Sequence, residues 1–375
     1  MYALDQAMSE QDATGFVVFG SSENANTRYL TRFTTTDPVV FFKKAGETAT
    51  IIVSQMEAER ALRESSARVM TRADAGLFEI LADEPDRWKA TARMIAGQAG
   101  TTLLVPSDFP FLLAHELQAF ARVIPDRGTI ESMRAVKTAD EISLITSVQG
   151  VTDRAMEHAV NLIRRSKIKS GILYRGTVPL TSEFIRTSME RIFMAHGCHS
   201  QDTIVSCGRD TAYPHIRGEG PLSANEPIVI DVFPKSIESG YFSDMTRTVL
   251  KGEATPEIMD MYKTVKDAQA YAAGMIRPGI TGDELHHSVV RYFNERGYPC
   301  NKEGFIHNLG HGVGLEVHEL PSLGPGGGIL AEGNVITNEP GLYLPGIGGV
   351  RLENTGVVTG NGFGCLTHYE EELII

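Results

Sequence analysis

The feature that most constrains this chain is a segment of its C-terminal half in which carboxylates follow β-type runs. Pro227-Ile-Val-Ile-Asp231 places an aspartate at the end of an apolar run, and Asp244 follows thirteen residues later in a second β-type run. Burying an unpaired charge is costly, so Asp231 requires a cation or another partner. Side chains on paired strands alternate faces, so a suitable register directs both carboxylates to one face. The segment therefore predicts a hairpin whose two aspartates share a metal.

A second segment has the same design. Asn338-Glu339-Pro-Gly-Leu-Tyr343 and Gly349-Val-Arg351-Leu-Glu353 flank the turn signal Leu344-Pro-Gly-Ile-Gly348. A turn signal between two β-type runs predicts another hairpin, with one glutamate on each arm. Each carboxylate taken alone is more often a turn, strand-end or surface residue. Two hairpins that each carry two carboxylates favour a common site instead.

Two histidines lie between these hairpins in the sequence, in Leu309-Gly-His311-Gly-Val-Gly-Leu-Glu-Val-His318. A lone histidine in such a run is more often structural. The glycines beside His311, however, let the backbone approach a ligand or substrate closely. His311 is therefore the expected nitrogen ligand beside the four carboxylates.

Charge counting favours a pair of divalent ions. Four carboxylates supply about −4 and two M²⁺ ions supply +4, which leaves a nearly neutral site with room for water. Between two metals about 3.5–4 Å apart, the pKa of water falls toward neutrality, giving a hydroxide that attacks a polarised amide carbonyl. The residues by themselves thus predict a two-metal hydrolase, with the metal ligands Asp231, Asp244, His311, Glu339 and Glu353.

The length of 375 residues exceeds the usual single core of roughly 250–300 residues, so two domains are expected. The first reads as a small α/β unit of alternating strands and helices. Its β-type runs are Gly15–Gly20, Pro38–Phe42, Thr50–Val53 and Thr101–Val105, and its helical stretches are Gln55–Arg63 and Pro85–Gln98. Its ionisable residues are scattered, so we expect it to form a substrate rim or an oligomer contact.

A break at Pro125-Asp-Arg-Gly128 separates this unit from the rest, and we place the domains at residues 1–134 and 135–375. Thr138-x-x-Glu141 has the spacing of a capping box, which predicts the start of a long helix that runs to about Arg164.

Two shorter helical stretches in the second domain, Thr181–Gly197 and Gly282–Gly297, are each followed by a segment that carries histidine. This similarity suggests a duplication, although convergent alternation of helices and strands explains it equally well. Thr255-Pro256-Glu257 predicts a further helix start between them, with Thr255 as the cap and Pro256 in the first turn.

Composition excludes several classes of protein. A net charge of −12 argues against nucleic acid as the main partner. No run of about 18 apolar residues would span a membrane, and the first residues have neither the basic start nor the apolar core of a secretory signal. The four cysteines contain no Cys-x-x-Cys pairing. We expect a cytoplasmic protein that acts on a small or peptide substrate.

These motifs resemble the pita-bread metallopeptidases, the family of Xaa-Pro dipeptidase (prolidase), aminopeptidase P, methionine aminopeptidase and creatinase. The resemblance extends along the whole chain, since Asn26-x-Arg-Tyr29-Leu-Thr-x-Phe33 is similar to a recurrent segment of the creatinase-like N-terminal domain, and Arg134-x-x-Lys137 precedes the long helix. It implies an α/β (α+β) fold, with a creatinase-like N-terminal α/β domain followed by a pita-bread catalytic domain of pseudo-twofold halves. It also implies a homodimer.

The resemblance assigns a role to each site residue. It implies that Asp231 binds one metal, that Asp244 and Glu353 bridge both, and that His311 and Glu339 complete the shell of the second. Glu339 is also the implied proton shuttle. The resemblance further makes His318 the proton donor or hydrogen-bond partner at the scissile bond, His215 a substrate contact, and Arg351 a partner of the bridging carboxylate.

One departure affects the first hairpin. Family members usually have Asp-x-Gly and two residues fewer between the aspartates, whereas this chain has Asp231-Val-Phe-Pro234. Two extra residues preserve the parity of the side chains, so both carboxylates still face inward. The altered loop is expected to reshape the entrance to the site.

The expected function is therefore metal-dependent hydrolysis of the Xaa-Pro bond in dipeptides or short peptides, with prolidase slightly favoured over aminopeptidase P. Mn²⁺ or Co²⁺ is the favoured metal, and Zn²⁺ or Fe²⁺ also suits an oxygen-rich shell with a single imidazole. Two alternatives stay open. One is a creatinase-like or other small-molecule hydrolase, and the other is a non-catalytic module that binds peptides or proteins in the same cleft.

Overall fold

The computed structural model describes residues 2–375, which divide after Arg134 into two compact units. Each unit has hydrophobic clusters of its own. Within residues 2–375, no helix combines the length and apolar character needed to cross a membrane.

The first unit is built on one mixed sheet of six strands in the order β4-β3-β2-β1-β5-β6. The strands are β1 Gly15–Gly20, β2 Val39–Lys44, β3 Thr50–Val53, β4 Arg68–Thr71, β5 Thr102–Val105 and β6 Arg122–Pro125. The helices are α1 Tyr2–Glu10, α2 Ala25–Thr31, α3 Ala58–Glu64, α4 Leu77–Asp83, α5 Arg87–Ala99, α6 Phe111–Leu117 and α7 Thr129–Ala135, with a 3₁₀ turn at Gln55–Glu57.

Alternation along the strands explains why this sheet is covered on both faces. On β1, Phe16 and Val18 belong to one hydrophobic cluster, whereas Val17 between them belongs to the other. The first cluster includes Leu4 of α1, and the second includes Ile95 of α5. Each predicted strand and helix is present with ends shifted by a few residues at most, so the predicted α/β character is confirmed.

The second unit has four long helices and many short strands. The helices are α8 Ala139–Arg164, α9 Ser182–Ala195, α10 Pro256–Met275 and α11 Gly282–Asn294. The strands are β7 Lys167–Lys169, β8 Ile172–Arg175, β9 Val178–Pro179, β10 Cys198–His199, β11 Ile204–Cys207, β12 Ile228–Val232, β13 Lys235–Ser236, β14 Met245–Val249, β15 Gly310–Gly312, β16 Glu319–Leu323, β17 Val335–Asn338, β18 Gly341–Leu344, β19 Gly348–Arg351, β20 Asn354–Thr359 and β21 Gly362–Cys365, with a 3₁₀ turn at Gly208–Ala212.

Threonine caps begin all four of these helices. Thr138 forms the predicted capping box with Glu141, and Thr255 caps α10 with a proline in its first turn, as predicted. Thr181 and Thr281 cap α9 and α11 in the same way. These side-chain oxygens accept hydrogen bonds from backbone N–H groups that have no partner within the helix.

Two hydrophobic clusters divide the second unit into halves. One is built from buried residues between Val148 and Val249, and the other from buried residues between Leu250 and Leu373. In each half a long helix precedes a shorter one and further strands follow, although in the first half β7, β8 and β9 lie between the two helices. This repeated order is the arrangement expected of pseudo-twofold halves.

Candidate metal centre

The first hairpin directs its two aspartates to one face. Strands β12 and β14 pair antiparallel with Asp231 opposite Thr246. Asp244 precedes Thr246 by two residues and therefore shares its face. This register keeps both aspartates on one face of the hairpin despite the longer loop, as predicted. The returning strand β14 begins at Met245, directly after Asp244.

The second hairpin continues through two separate ladders in one register. Asn338 lies opposite Asn354 in β17 and β20, and Gly341 lies opposite Arg351 in β18 and β19. Glu339 and Glu353 therefore face each other at the gap between the ladders. One glutamate stands on each arm, as predicted.

Backbone and side-chain hydrogen bonds join the two hairpins. The backbone N–H of Glu353 donates to the Thr246 carbonyl at 3.1 Å, and Thr246 Oγ1 donates to Glu353 Oε2 at 2.7 Å. Thr355 Oγ1 donates to the carbonyl of Asp244 at 2.7 Å. These bonds hold carboxylates that are distant in sequence within one buried cluster.

His311 on β15 completes the cluster. Its backbone N–H donates to Thr337 Oγ1 at 3.0 Å, and its Nδ1 lies 3.1 Å from the Gly312 carbonyl. That contact makes Nδ1 the donor, so Nε2 points to the carboxylates. Nε2 lies 3.1 Å from Glu339 Oε1 and 3.8 Å from Asp244 Oδ2.

The donor set suits a divalent cation. Asp244, His311 and Glu353 each offer a ligand atom, and the three atoms lie within 4.8 Å of one another. Among the described residues, Asp244 Oδ1 is a buried oxygen without a hydrogen-bond partner. An unsatisfied buried carboxylate oxygen is costly, and a cation bound by this cluster would remove that cost.

Burial and the mutual repulsion of the carboxylates both raise proton affinity within the cluster. Burial, followed by the charges of Glu353, Asp231 and Glu339, raises the pKa of Asp244 well above its ordinary range. Burial, followed by the charges of Glu339 and Asp231, raises the pKa of Glu353 to about 8. The cluster thus demands positive charge, which either protons or metal ions can supply.

His311 and Glu339 form an ion pair at the edge of this cluster. Burial opposes the charge on His311, but its hydrogen bond to Glu339 and the charges of Glu339 and Glu353 prevail and raise its pKa to about 9. Burial also opposes the charge on Glu339, yet the hydrogen bond and charge of His311 lower its pKa to about 2. A metal ion bound at Nε2 would replace the proton of this pair.

Arg351 links the two hairpins. It was predicted as a partner of the bridging carboxylate, and its Nη2 also donates to Asp231 Oδ2. Its Nε donates to Thr246 Oγ1 at 3.1 Å, and that hydroxyl donates in turn to Glu353 Oε2 at 2.7 Å. Arg351 and Glu353 lie two residues apart, so both side chains leave the same face of the chain. The longer arginine side chain extends across to the first hairpin.

The two remaining predicted residues are exposed. The His318 ring packs edge-on against the His311 ring, with 4.3 Å between ring centroids. Burial and the charge of His311 lower the pKa of His318, and the charge of His215 adds to this effect.

Two further residues belong to the site but were not singled out as site residues from the sequence. Tyr343 Oη accepts a hydrogen bond from Arg351 Nη1 at 2.8 Å and lies 2.9 Å from His307 Nε2. His307 Nδ1 lies 2.7 Å from the Asn308 carbonyl, which makes Nδ1 the donor and Nε2 the acceptor. A continuous series of hydrogen bonds therefore runs from Asp231 through Arg351 and Tyr343 to His307. The sequence signal that could have pointed to Tyr343 was its position on the predicted hairpin that carries Glu339 and Glu353.

Comparisons with known proteins agree with this architecture. The pattern of the creatinase/prolidase N-terminal domain matches residues 1–136, and that of metallopeptidase family M24 matches residues 143–360. The chain is 32% identical over 337 residues to the Xaa-Pro dipeptidase of Pyrococcus horikoshii, covering 88% of this chain and 86% of that protein. It is 28% identical over 359 residues to the uncharacterized peptidase YqhT of Bacillus subtilis, covering 94% of each.

Solved structures show the same fold. The prolidase of Pyrococcus horikoshii superposes with a TM-score of 0.84 at 28% identity, covering 100% of this chain and 99% of that one. The Xaa-Pro dipeptidase of Bacillus anthracis gives a TM-score of 0.85 at 26% identity, covering 100% and 98%. The two-unit α/β architecture and the family pattern over residues 143–360 together establish that this chain belongs to metallopeptidase family M24.

Proposed function

We propose that this chain hydrolyses the Xaa-Pro peptide bond of dipeptides or short peptides with the help of divalent metal ions. The observation that carries the proposal is the buried cluster of Asp244, His311 and Glu353 with its unsatisfied aspartate oxygen. The relatives named Xaa-Pro dipeptidase and prolidase supply the substrate class.

Our proposed ligand assignment is the one implied by the resemblance to the family, and the grouping of Asp244, His311 and Glu353 supports it. Asp231 would bind one ion, Asp244 and Glu353 would bridge two, and His311 and Glu339 would complete the ligand shell of the second ion. When bound, such ions polarise the scissile carbonyl and lower the pKa of a water molecule. The four carboxylates set the total charge that the site accepts.

The remaining residues would handle protons and orientation. Glu339 is half-buried beside the cluster and is the proposed proton shuttle for the attacking water. His318 packs on His311 at the exposed side, where it would donate a proton or hydrogen bond at the scissile bond. His215 is a proposed substrate contact on the same side. Arg351 would hold Asp231 in place for its ion.

We further propose Mn²⁺ or Co²⁺ as the working metal, with Zn²⁺ or Fe²⁺ as the alternatives, because the donors are mostly oxygen with one imidazole. A cytoplasmic homodimer is the proposed form of the protein. Family membership and the prolidase relatives do not favour a small-molecule hydrolase or a non-catalytic binding module.

A panel of substrates tests the proposal. Purified protein is analysed for bound metal and assayed with Ala-Pro, Leu-Pro and Xaa-Pro tripeptides in the presence of Mn²⁺ or Co²⁺. We expect hydrolysis that requires metal, and the ratio of dipeptide to tripeptide turnover separates dipeptidase from aminopeptidase. Absence of hydrolysis with every member of the panel would refute the proposal.

A matched pair of variants links the activity to the cluster. Asp244→Ala removes the buried aspartate, and Asp267→Ala removes an exposed aspartate on α10. We expect the first variant to lose turnover and bound metal, and the second to retain both. Equal activity in the two variants would contradict the ligand assignment.

A further inference from the structure

A buried ion pair lies beside the segment that carries His318. Lys137 Nζ lies 2.6 Å from Glu319 Oε1, and the two side chains are 1% and 5% exposed. Such burial removes both charges from water, so the pair needs close geometry and additional hydrogen bonds to be tolerated. Glu319 directly follows His318 in the sequence. The pair therefore fixes the chain at a position next to an exposed residue of the proposed site.

Lys137 is itself firmly held. Its backbone N–H donates to the Gly333 carbonyl at 2.9 Å, and Nζ also lies 3.3 Å from the carbonyl of Ala135. It stands immediately before Thr138, the cap of helix α8. The Lys137 ammonium group is therefore anchored at the start of helix α8, where it holds the Glu319 carboxylate.

The Glu319 carboxylate in turn contacts the loop between β15 and β16. Its Oε2 accepts from the Glu316 backbone N–H at 3.4 Å, and a Cβ at Gly314 would overlap its oxygens. The loop backbone therefore lies directly against the carboxylate. A side chain at Gly314 would have to displace the carboxylate that Lys137 holds, so glycine suits this position.

Within this loop, ladder pairing gives little support to His318. Gly312 pairs with Glu319, and the register shifts between His311 and Gly312, so residues 313–318 lie outside the ladder. Among the described contacts of His318, the ring packing on His311 is present, but no hydrogen bond fixes the imidazole. The orientation of the His318 imidazole therefore rests on its packing against His311 and on the backbone of the loop that carries it.

We propose that the Lys137–Glu319 ion pair positions His318 against the metal centre. The pair would act by fixing the backbone that carries the imidazole, without touching substrate itself. This inference rests on the proposed function, because it assigns to Lys137 and Glu319 the support of a residue proposed to act at the scissile bond.

A double-mutant cycle separates positioning from general stability. The variants Lys137→Met, His318→Ala and the double variant are assayed for kcat and KM with an Xaa-Pro dipeptide, with metal content measured in parallel. We expect Lys137→Met to lower kcat by about 10²-fold at little change in KM, as small misplacement of an acting group does. In the His318→Ala background, the same change should alter kcat by less than about twofold.

Lys43→Met provides the matched control. Lys43 Nζ also lies 2.6 Å from a carboxylate, that of Asp5, and its side chain is 4% exposed. We expect Lys43→Met to leave kcat within about twofold of the parent, because this pair belongs to the sheet of the first unit and not to the segment that carries His318. An equal loss of kcat from Lys137→Met with and without His318 overturns the proposal, as does an equal loss in Lys43→Met.

If Lys137→Met does not fold, Glu319→Gln replaces it in the same double-mutant cycle, because glutamine keeps the shape of glutamate. A second readout is independent of turnover. The imidazole NMR resonances of His318, assigned by their absence from His318→Ala, should shift or broaden in Glu319→Gln and not in Lys43→Met. Unchanged resonances in Glu319→Gln refute the positioning role, whereas a parent enzyme without Xaa-Pro turnover refutes the proposed function instead.

Discussion

Thr246 and Arg351 meet at a single hydroxyl that connects the two hairpins of the metal centre. Arg351 Nε donates to Thr246 Oγ1 at 3.1 Å, and the same hydroxyl donates to Glu353 Oε2 at 2.7 Å. The hydroxyl can play both parts because it has one proton and two lone pairs. The orientation of the Glu353 carboxylate therefore depends on a neutral residue of the opposite hairpin.

We predict that Thr246→Val weakens metal binding. Valine keeps the shape of threonine but leaves Glu353 Oε2 and Arg351 Nε without this partner, and the loss of such a supporting contact costs about 10–100-fold in metal affinity. Calorimetric titration of metal-free protein with Mn²⁺ measures the change. Thr246→Ser retains the hydroxyl and serves as the control. Parent-like affinity in Thr246→Val would show that the hydroxyl does not support the ligand.

Arg351→Lys should be a severe change despite its retained charge. The guanidinium contacts Asp231, Thr246 and Tyr343 at once, and a single ammonium group cannot reproduce that planar arrangement. We expect a loss of metal affinity of about 10–100-fold, measured by the same titration. The exposed Arg93 on α5 gives a control, since Arg93→Lys should bind metal as the parent does. Parent-like metal affinity in Arg351→Lys would show that Arg351 does not support the proposed metal site.

The metal-free protein should lose stability as the pH rises. The pKa of Glu353 is raised from 4.5 to about 8, and that of His311 from 6.5 to about 9. Both groups bind protons more tightly in the folded state, so their stabilisation is complete below the unfolded pKa and is lost as the pH passes the folded pKa.

Glu339 behaves in the opposite sense, because its pKa is lowered to about 2, but its contribution changes only below about pH 4.5. Thermal unfolding of metal-free protein should therefore show a melting temperature that falls from pH 6 to pH 9, the range of the raised pKa values. Added Mn²⁺ should reverse the fall, since metal replaces the protons. A melting temperature of metal-free protein that rises over this range would contradict the repulsion between the carboxylates.

Gly310→Ala should disturb the position of His311. A Cβ at Gly310 would overlap the carbonyl oxygen of Thr337, a backbone atom that cannot move aside cheaply. We expect reduced metal affinity and a loss of stability of about 1–3 kcal/mol from this overpacking. Gly274→Ala is the control, because that exposed site on α10 has open space and alanine favours a helix by about 0.5–1 kcal/mol. Similar effects of the two changes would refute the argument from close approach.

Local sequence patterns predicted many of the helix ends and strand faces of this protein without any knowledge of its tertiary contacts. The Thr138 capping box and the Thr255-Pro256 start marked helix ends, because their hydrogen bonds lie within one turn of the chain. Parity along the strands placed Asp231 and Asp244 on one face, because it depends on counting residues. The two-unit α/β fold follows from many such local preferences that agree with one another.

Only the tertiary structure decided which distant groups meet. Lys137 and Glu319 stand 182 residues apart, and Arg351 extends to Asp231 on another hairpin. Periodicity in a sequence reports the face from which a side chain leaves the backbone. It does not report which of several nearby carboxylates a long cationic side chain will reach, since that choice depends on packing distances and on the cost of leaving a buried charge unpaired.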